Sequence, residues 1–233
     1  MRLFIFIIIF LLHNSLTALS LKDKLSHGSP GDFIITEAQS RSCSLIRLHT
    51  VTPNTITIEE ISFPEKKLPK NLENWIASGA QGHTSWTLAT IDLKNNCLKA
   101  AFSFTKEAWL DTSAENSFFL KILDLSLAPV PHEQRRRIGP PPLDGFDTRK
   151  IWNPPLIVHG KKVSSPKFSV YHCLHPKDGS PLSGKRIELF FTQDNESFPF
   201  PIWGQVTNSS DAALKFRIIN SGQNLSSPKK YPL

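Results

Sequence analysis

Residues 97–105 read CLKAAFSFT. Leu98, Ala100, Phe102 and Phe104 fall on one parity, and Lys99, Ala101, Ser103 and Thr105 on the other. Successive side chains of a strand point to opposite faces, so this period of two predicts a strand with one better-buried face. Immediately upstream, Lys94-Asn95-Asn96 is a hairpin break, because Asn tolerates positive φ. Ser85 to Leu93 reads as the partner strand. Further upstream, Thr55 to Ser62 (TITIEEIS) alternates β-branched and polar residues. Thr52-Pro53-Asn54 marks the turn before it, and Cys43 to Val51 and Gly31 to Glu37 are rich in β formers. Short strands with tight breaks predict an antiparallel meander. Within 55–63, Ile56 and Ile58 share one face while Ile61 and Phe63 share the other. A β-bulge at Glu59-Glu60 is the expected cause.

Between these strands, Asn71 to Ser78 (NLENWIAS) places Leu72, Trp75 and Ile76 on one side of a two-turn helix, with Gly79 as its stop. Downstream, Ser117 to Leu125 (SFFLKILDL) changes period. Phe118, Phe119, Ile122 and Leu123 recur at helical spacing and predict a short amphipathic helix that covers an apolar sheet face. Residues 128–156 then hold seven prolines, at 129, 131, 140, 141, 142, 154 and 155. Proline cannot donate to a ladder, so this stretch is a crossover rather than sheet interior. Trp152 is placed to pin its end to the body. Strands resume at 156–158, 168–174, 186–192, 202–207 and 214–220, and the polar tail from Gln223 onward is expected to fray.

The sum predicts a mainly β fold with one or two short helices, in which strand lobes at 31–105 and 156–221 flank the proline-rich crossover. Hairpin spacing without βαβ units favours an antiparallel curved sheet, an open barrel or two packed sheets. The 233 residues carry 27 Lys+Arg against 20 Asp+Glu and are 39% hydrophobic, which is too apolar for a disordered chain. Leu3 to Leu12 is an unbroken apolar run behind Arg2. It is too short to span a bilayer and suits a signal peptide over residues 1–20. Ala18 and Ser20 supply the small residues of a cleavage site after Ser20. The mature part, 21–233, is then a single β-rich domain, exported to the periplasm or beyond, with no transmembrane span after cleavage. Cys43, Cys97 and Cys173 allow one disulfide, or none if they are apolar fillers.

The motifs of catalysis are missing from the sequence. There is no G-x-S-x-G, and His83 with Ser85 reads as a turn leading into a strand. His172 and His175 point to opposite faces of a strand and cannot share one metal ion. Glu59 and Glu60 face apart, and Asp144 and Asp147 suit a Gly-containing turn. No enzyme, metal or cofactor is expected. Arg135-Arg136-Arg137 form the densest basic cluster, too small for a nucleic-acid tract; it reads first as a solvated basic loop, and otherwise as a contact for an anionic lipid head group or an acidic partner.

The segments GDFIITEA (31–38), LHTVTPNTITIEEIS (48–62), GHTSWTLATIDL (82–93), IGPPPLDGFDTRKIW (138–152) and FPFPIWGQVTNSSDAALKFRIINSG (198–222) resemble uncharacterised exported proteins of Gram-negative intracellular bacteria. The layout is also remotely similar to the half-barrel of periplasmic lipoprotein carriers of the LolA type. That resemblance implies a curved antiparallel sheet that holds acyl chains, and it transfers no functional residue. Two functions follow as expectations. One is a non-enzymatic binding protein for an apolar, lipid-like ligand or a lipoprotein in the cell envelope. The other is an envelope or secreted interaction module that meets a protein through Arg135, Arg136, Arg137 and Trp152.

Overall fold

The computed structural model describes residues 19–38, 41–112, 123–179, 182–207 and 212–232. The first half holds β1 (Leu19–Ser20), α1 (Leu21–Ser26), β2 (Phe33–Ala38), β3 (Ser42–Val51) and β4 (Thr55–Pro64). It continues with α2 (Leu72–Ala77), β5 (Ser85–Asp92), β6 (Cys97–Ser103) and β7 (Ala108–Trp109). The second half holds β8 (Ser126–Pro129), β9 (Ile157–Val158), β10 (Lys161–Lys162), β11 (Phe168–Leu174), β12 (Arg186–Thr192), β13 (Trp203–Thr207) and β14 (Ala212–Gly222). The expected helix at 117–125, with Phe118, Phe119 and Ile122, falls on residues outside those described, apart from its last three. Of these, Leu123 is fully buried.

The strands form one sheet in the order β1-β8-β11-β12-β13-β14-β2-β3-β4-β5-β6-β7. Every pairing along this path is antiparallel. The two meanders are joined because β14 pairs with β2, from Arg217 against Glu37 to Gly222 against Phe33. β1 and β7 are the two edges, so the sheet is not closed into a barrel. It nevertheless curls. Ile56 and Ile91, from β4 and β5, share one core with Val170 and Phe190, from β11 and β12. These strands stand well apart in the order, and only curvature brings their side chains together. Register shifts at Leu48/Thr50, Thr90/Ile91, Val206/Thr207 and Ile218/Asn220 supply local bends.

Each face of the sheet has its own core. One gathers Ile34, Leu48, Ile56, Ile91, Phe190 and Trp203 with Leu21 and Leu25 of α1. The other gathers Phe33, Ile35, Cys43, Leu45, Ile61, Phe63 and Trp86 with Ile76 of α2. This explains the parity switch in β4. The pairing of β4 with β5 runs from Thr55–Asp92 to Ser62–Ser85 without a shift, so the bulge expected at Glu59-Glu60 does not exist. The extra residue lies instead on β3, at His49. Ile56 and Ile58 serve the first core and Ile61 and Phe63 the second, because one straight strand is buried on both sides.

Local signals set the helices. Asn71 Oδ1 accepts from the Asn74 amide at 2.9 Å and caps α2, and Gly79 at φ +87° ends it. α1 opens on a capping box: Ser20 Oγ accepts from the Asp23 amide at 3.1 Å, and Asp23 Oδ2 accepts from the Ser20 amide at 2.8 Å. Leu19 and Ser20 also pair with Leu127 and Ser126. The proposed leader boundary therefore falls on residues with structural partners.

The tail does not fray as its composition suggests. Leu225 is buried in the second core. Tyr231 stacks on Trp109 at 5.4 Å and meets Thr90 Oγ1 at 2.8 Å. Lys229 lies over the rings of Trp86 and Phe104 at 5.1 and 5.0 Å. The polar side chains of the tail find matching groups on the sheet, which composition cannot show.

Candidate functional site

On the first face, β2 to β6 present Ile34, Ile46, Ile58, Ala89, Ile91 and Leu98 side by side. The register sets Ile34 against Ile46, Ile58 against Ala89 and Ile91 against Leu98. Leu21 and Leu25 of α1 border them on one side and Phe200, Pro201 and Phe216 on another, enclosing a trough of about 480 Å³. Thr36, Glu60 and Thr87 are its polar members. Ile46, Ile58, Leu98 and Phe216 are only half-buried, so apolar surface faces the open space. The volume lies within the roughly 300–1,000 Å³ typical of small-molecule sites, and the lining has their character: mostly apolar with a few polar groups. Gly204 supports one wall, since a Cβ there would lie 2.0 Å from the Phe216 ring.

Behind the trough, the same strands carry a buried ion pair that patterning did not reveal. Arg47 Nη1 donates to Glu59 Oε2 at 2.7 Å. Trp86 Nε1 and Ser227 Oγ donate to Glu59 Oε1 at 2.8 and 2.6 Å. Arg47 Nε donates to the Leu225 carbonyl at 2.5 Å, and its Nη1 meets His49 Nδ1 at 3.0 Å. A guanidinium only donates, so His49 Nδ1 accepts in this arrangement. Burial pushes the Glu59 carboxyl up, but hydrogen bonds from Ser227 and Trp86 and the charge of Arg47 outweigh it and hold the group below its usual range. The pair ties the tail to the sheet. Its location was signalled by Glu59 sharing the parity of Ile61 and Phe63.

The proline-rich crossover carries the remaining expected residues. Arg137 bridges to Ile151, closing a small hairpin. Arg137 Nη1 donates to the Arg149 carbonyl at 2.7 Å, and Arg149 clasps Asp147 through Nε at 2.9 Å and Nη2 at 2.7 Å. Hydrogen bonds from Arg149, aided by its charge and that of Arg137, lower the Asp147 carboxyl to about 2. Arg135 Nη1 donates to the Phe168 carbonyl at 3.2 Å, while its buried Nε has no partner among the described residues. Arg136 lies over the Trp152 ring at 4.9 Å. Trp152 in turn meets Phe190 and Trp203 edge-on at 5.6 and 5.0 Å. The three arginines and Trp152 thus hold the crossover together and anchor it to the first core. They do not meet Leu123 or the trough lining in any of these contacts.

No group of His, Cys, Asp or Glu among the described residues could hold a metal ion. Cys43, Cys97 and Cys173 are free. Burial pushes the Cys173 thiol up to about 11 and, with nearby Glu37 and Glu65, raises that of Cys43, so neither is a ready nucleophile. His83 Nδ1 contacts the Ala80 carbonyl at 2.9 Å, and its ring packs on Trp86. No described helix is long and apolar enough to cross a membrane.

Fold and trough together define an open antiparallel sheet protein with a core on each face and an apolar hollow in one of them. The chain belongs to the family described as CT021 protein, whose match covers residues 44–164, from within β3 to just past β10. It is similar to a 2.0 Å structure of the hypothetical protein CT021 from Chlamydia trachomatis, with 23% identity, a TM-score of 0.66, and coverage of 92% of this chain and 98% of that one. That similarity carries the fold alone. No curated protein matches the chain.

Proposed function

We propose that the protein is an exported, non-enzymatic binding protein that holds an apolar, lipid-like ligand in the trough between α1 and strands β2 to β6. The observation that carries this reading is the row of half-buried Ile46, Ile58, Leu98 and Phe216 facing an open hollow of about 480 Å³. Apolar side chains left half in water gain roughly 25 cal/mol per Å² when a ligand covers them. Carriers of the LolA type are the architectural analogy, and export rests on the leader-like run at Leu3 to Leu12.

The test is a fluorescence titration with the neutral apolar probe N-phenyl-1-naphthylamine. Wild type should bind it saturably. Ala89→Phe puts a ring into the hollow from mid-strand, and should weaken binding by about tenfold or more while circular dichroism and the melting curve stay close to wild type. Equal titrations for the two proteins would reject the trough as the site.

A further inference from the structure

The crossover hairpin ends in two large apolar side chains with no cover. Leu143 is 99% exposed and Phe146 is 96% exposed, and Ile138 at its base is 54% exposed. Burial normally claims such residues, and an uncovered group of them marks a contact surface. Here the group sits on a stiff support. Pro140, Pro141 and Pro142 fix the backbone ahead of Leu143. Ile138 N donates to the Lys150 carbonyl at 2.9 Å, Trp152 N to the Arg136 carbonyl at 2.8 Å, and Arg149 Nη1 to the Gly139 carbonyl at 2.6 Å. Trp152 secures the base to the core.

The surroundings are basic. Residues 133–167 hold eight Lys and Arg against three acids, Glu133, Asp144 and Asp147. Asp147 is neutralised by Arg149 and Arg137, while Asp144 remains at the tip and subtracts from the positive field. Lys150, Lys162 and Lys167 line one shallow groove together with Ile138. All three lysines are exposed.

We propose that this hairpin is a membrane-interface anchor: Leu143 and Phe146 enter the headgroup region of an anionic bilayer, and Lys150, Lys162 and Lys167 meet its phosphates. An apolar tip with exposed lysines beside its base matches the two layers of a lipid surface, apolar below and anionic above. An acidic protein patch would satisfy the lysines but would leave the two apolar side chains in water unless it also offered a pocket. The inference does not rest on the trough, and Ala89→Phe should leave it intact.

Mature protein, residues 21–233, is sedimented with vesicles of phosphatidylcholine alone and of phosphatidylcholine mixed with phosphatidylglycerol. Binding should favour the mixed vesicles and fall as salt rises. Leu143→Ser with Phe146→Ser should reduce it by about tenfold or more, and Lys150→Glu with Lys162→Glu and Lys167→Glu should abolish the preference for anionic lipid. These positions are exposed, so the variants should fold like wild type. Phe146→Trp should bind as wild type and show a blue-shifted emission on mixed vesicles. No binding to either vesicle, binding that survives loss of the tip, or a tip required only for capture of a protein would each overturn the proposal.

Discussion

Replacing Glu59 with Gln keeps the shape of the side chain and removes its charge. Glu59 is fully buried and Arg47 is 6% exposed, so the substitution leaves a guanidinium without its counter-ion in the sheet. Breaking a buried pair in this way costs about 3–5 kcal/mol, a large share of the roughly 5–15 kcal/mol that stabilises a folded chain. In a urea titration with an m-value of about 2–3 kcal/mol/M, the midpoint should fall by roughly 1–2.5 M. The tail should loosen too, because Ser227 and Leu225 are held by the same two side chains. Trypsin should then cut after Lys229 and Lys230 faster than in wild type. The double variant Arg47→Met with Glu59→Leu removes both charges and should lose less stability than the two single changes added together. The pH dependence has a definite sign. Because the folded Glu59 carboxyl lies below its usual value of 4.5, its contribution is fully present above that pH and is lost as pH falls through the folded value. Glu59→Gln should flatten this acid limb. A loss under about 1 kcal/mol for Glu59→Gln, or strict additivity in the double variant, would refute the argument that the pair is a buried, coupled unit.

Other consequences can be measured separately. A chain beginning at Leu21 lacks the Ser20 cap and the β1 pairing, and should unfold about 1–2 kcal/mol more easily in urea than one beginning at Leu19. With a thiol reagent near pH 8, half-buried Cys97 should react first, and Cys43 and Cys173 only after denaturant is added. Trp152→Ala removes the half-buried ring that meets Phe190 and Trp203, and should destabilise by about 1–3 kcal/mol while speeding proteolysis within 135–151.

Many strands were legible as runs of β formers between turn residues, but the single buried face read into β6 does not hold: the shift at Thr90/Ile91 sets Leu98 against Ile91 on the first face, while Ala100 and Phe102 pair with Thr90 and Leu88 on the other, and Ala101 and Ser103 are buried as well. The helix at 72–77 announced itself through Asn71 and Gly79. Elements that stayed hidden have physical reasons. β1, β7 and β10 are two residues long, too short to show any period. α1 is a six-residue helix whose capping box, Ser20 and Asp23, straddles the expected cleavage point. The tail was misjudged because hydroxyls and lysines look solvated until their partners are known. Extending the hairpin back from Thr52-Pro53-Asn54 sets Arg47 against Glu60; the extra residue at His49 moves it to Glu59, and no local pattern marks that bulge. The trough was legible only as apolar residues on both faces of several strands. Which face would be left uncovered depends on where α1 and the residues 198–201 pack, and no local pattern sets that. The apolar tip at Leu143 and Phe146 was overlooked beside the three arginines, which turn out to brace the hairpin internally.

The most direct measurement of the central claim is mass spectrometry of lipid extracted from full-length protein purified without detergent, set beside the same extraction from Ala89→Phe. Wild type should release an acyl-chain compound in near-stoichiometric amount, and the variant should release much less. A folded wild-type protein that yields nothing, and takes up no palmitate when incubated with it, would contradict the account.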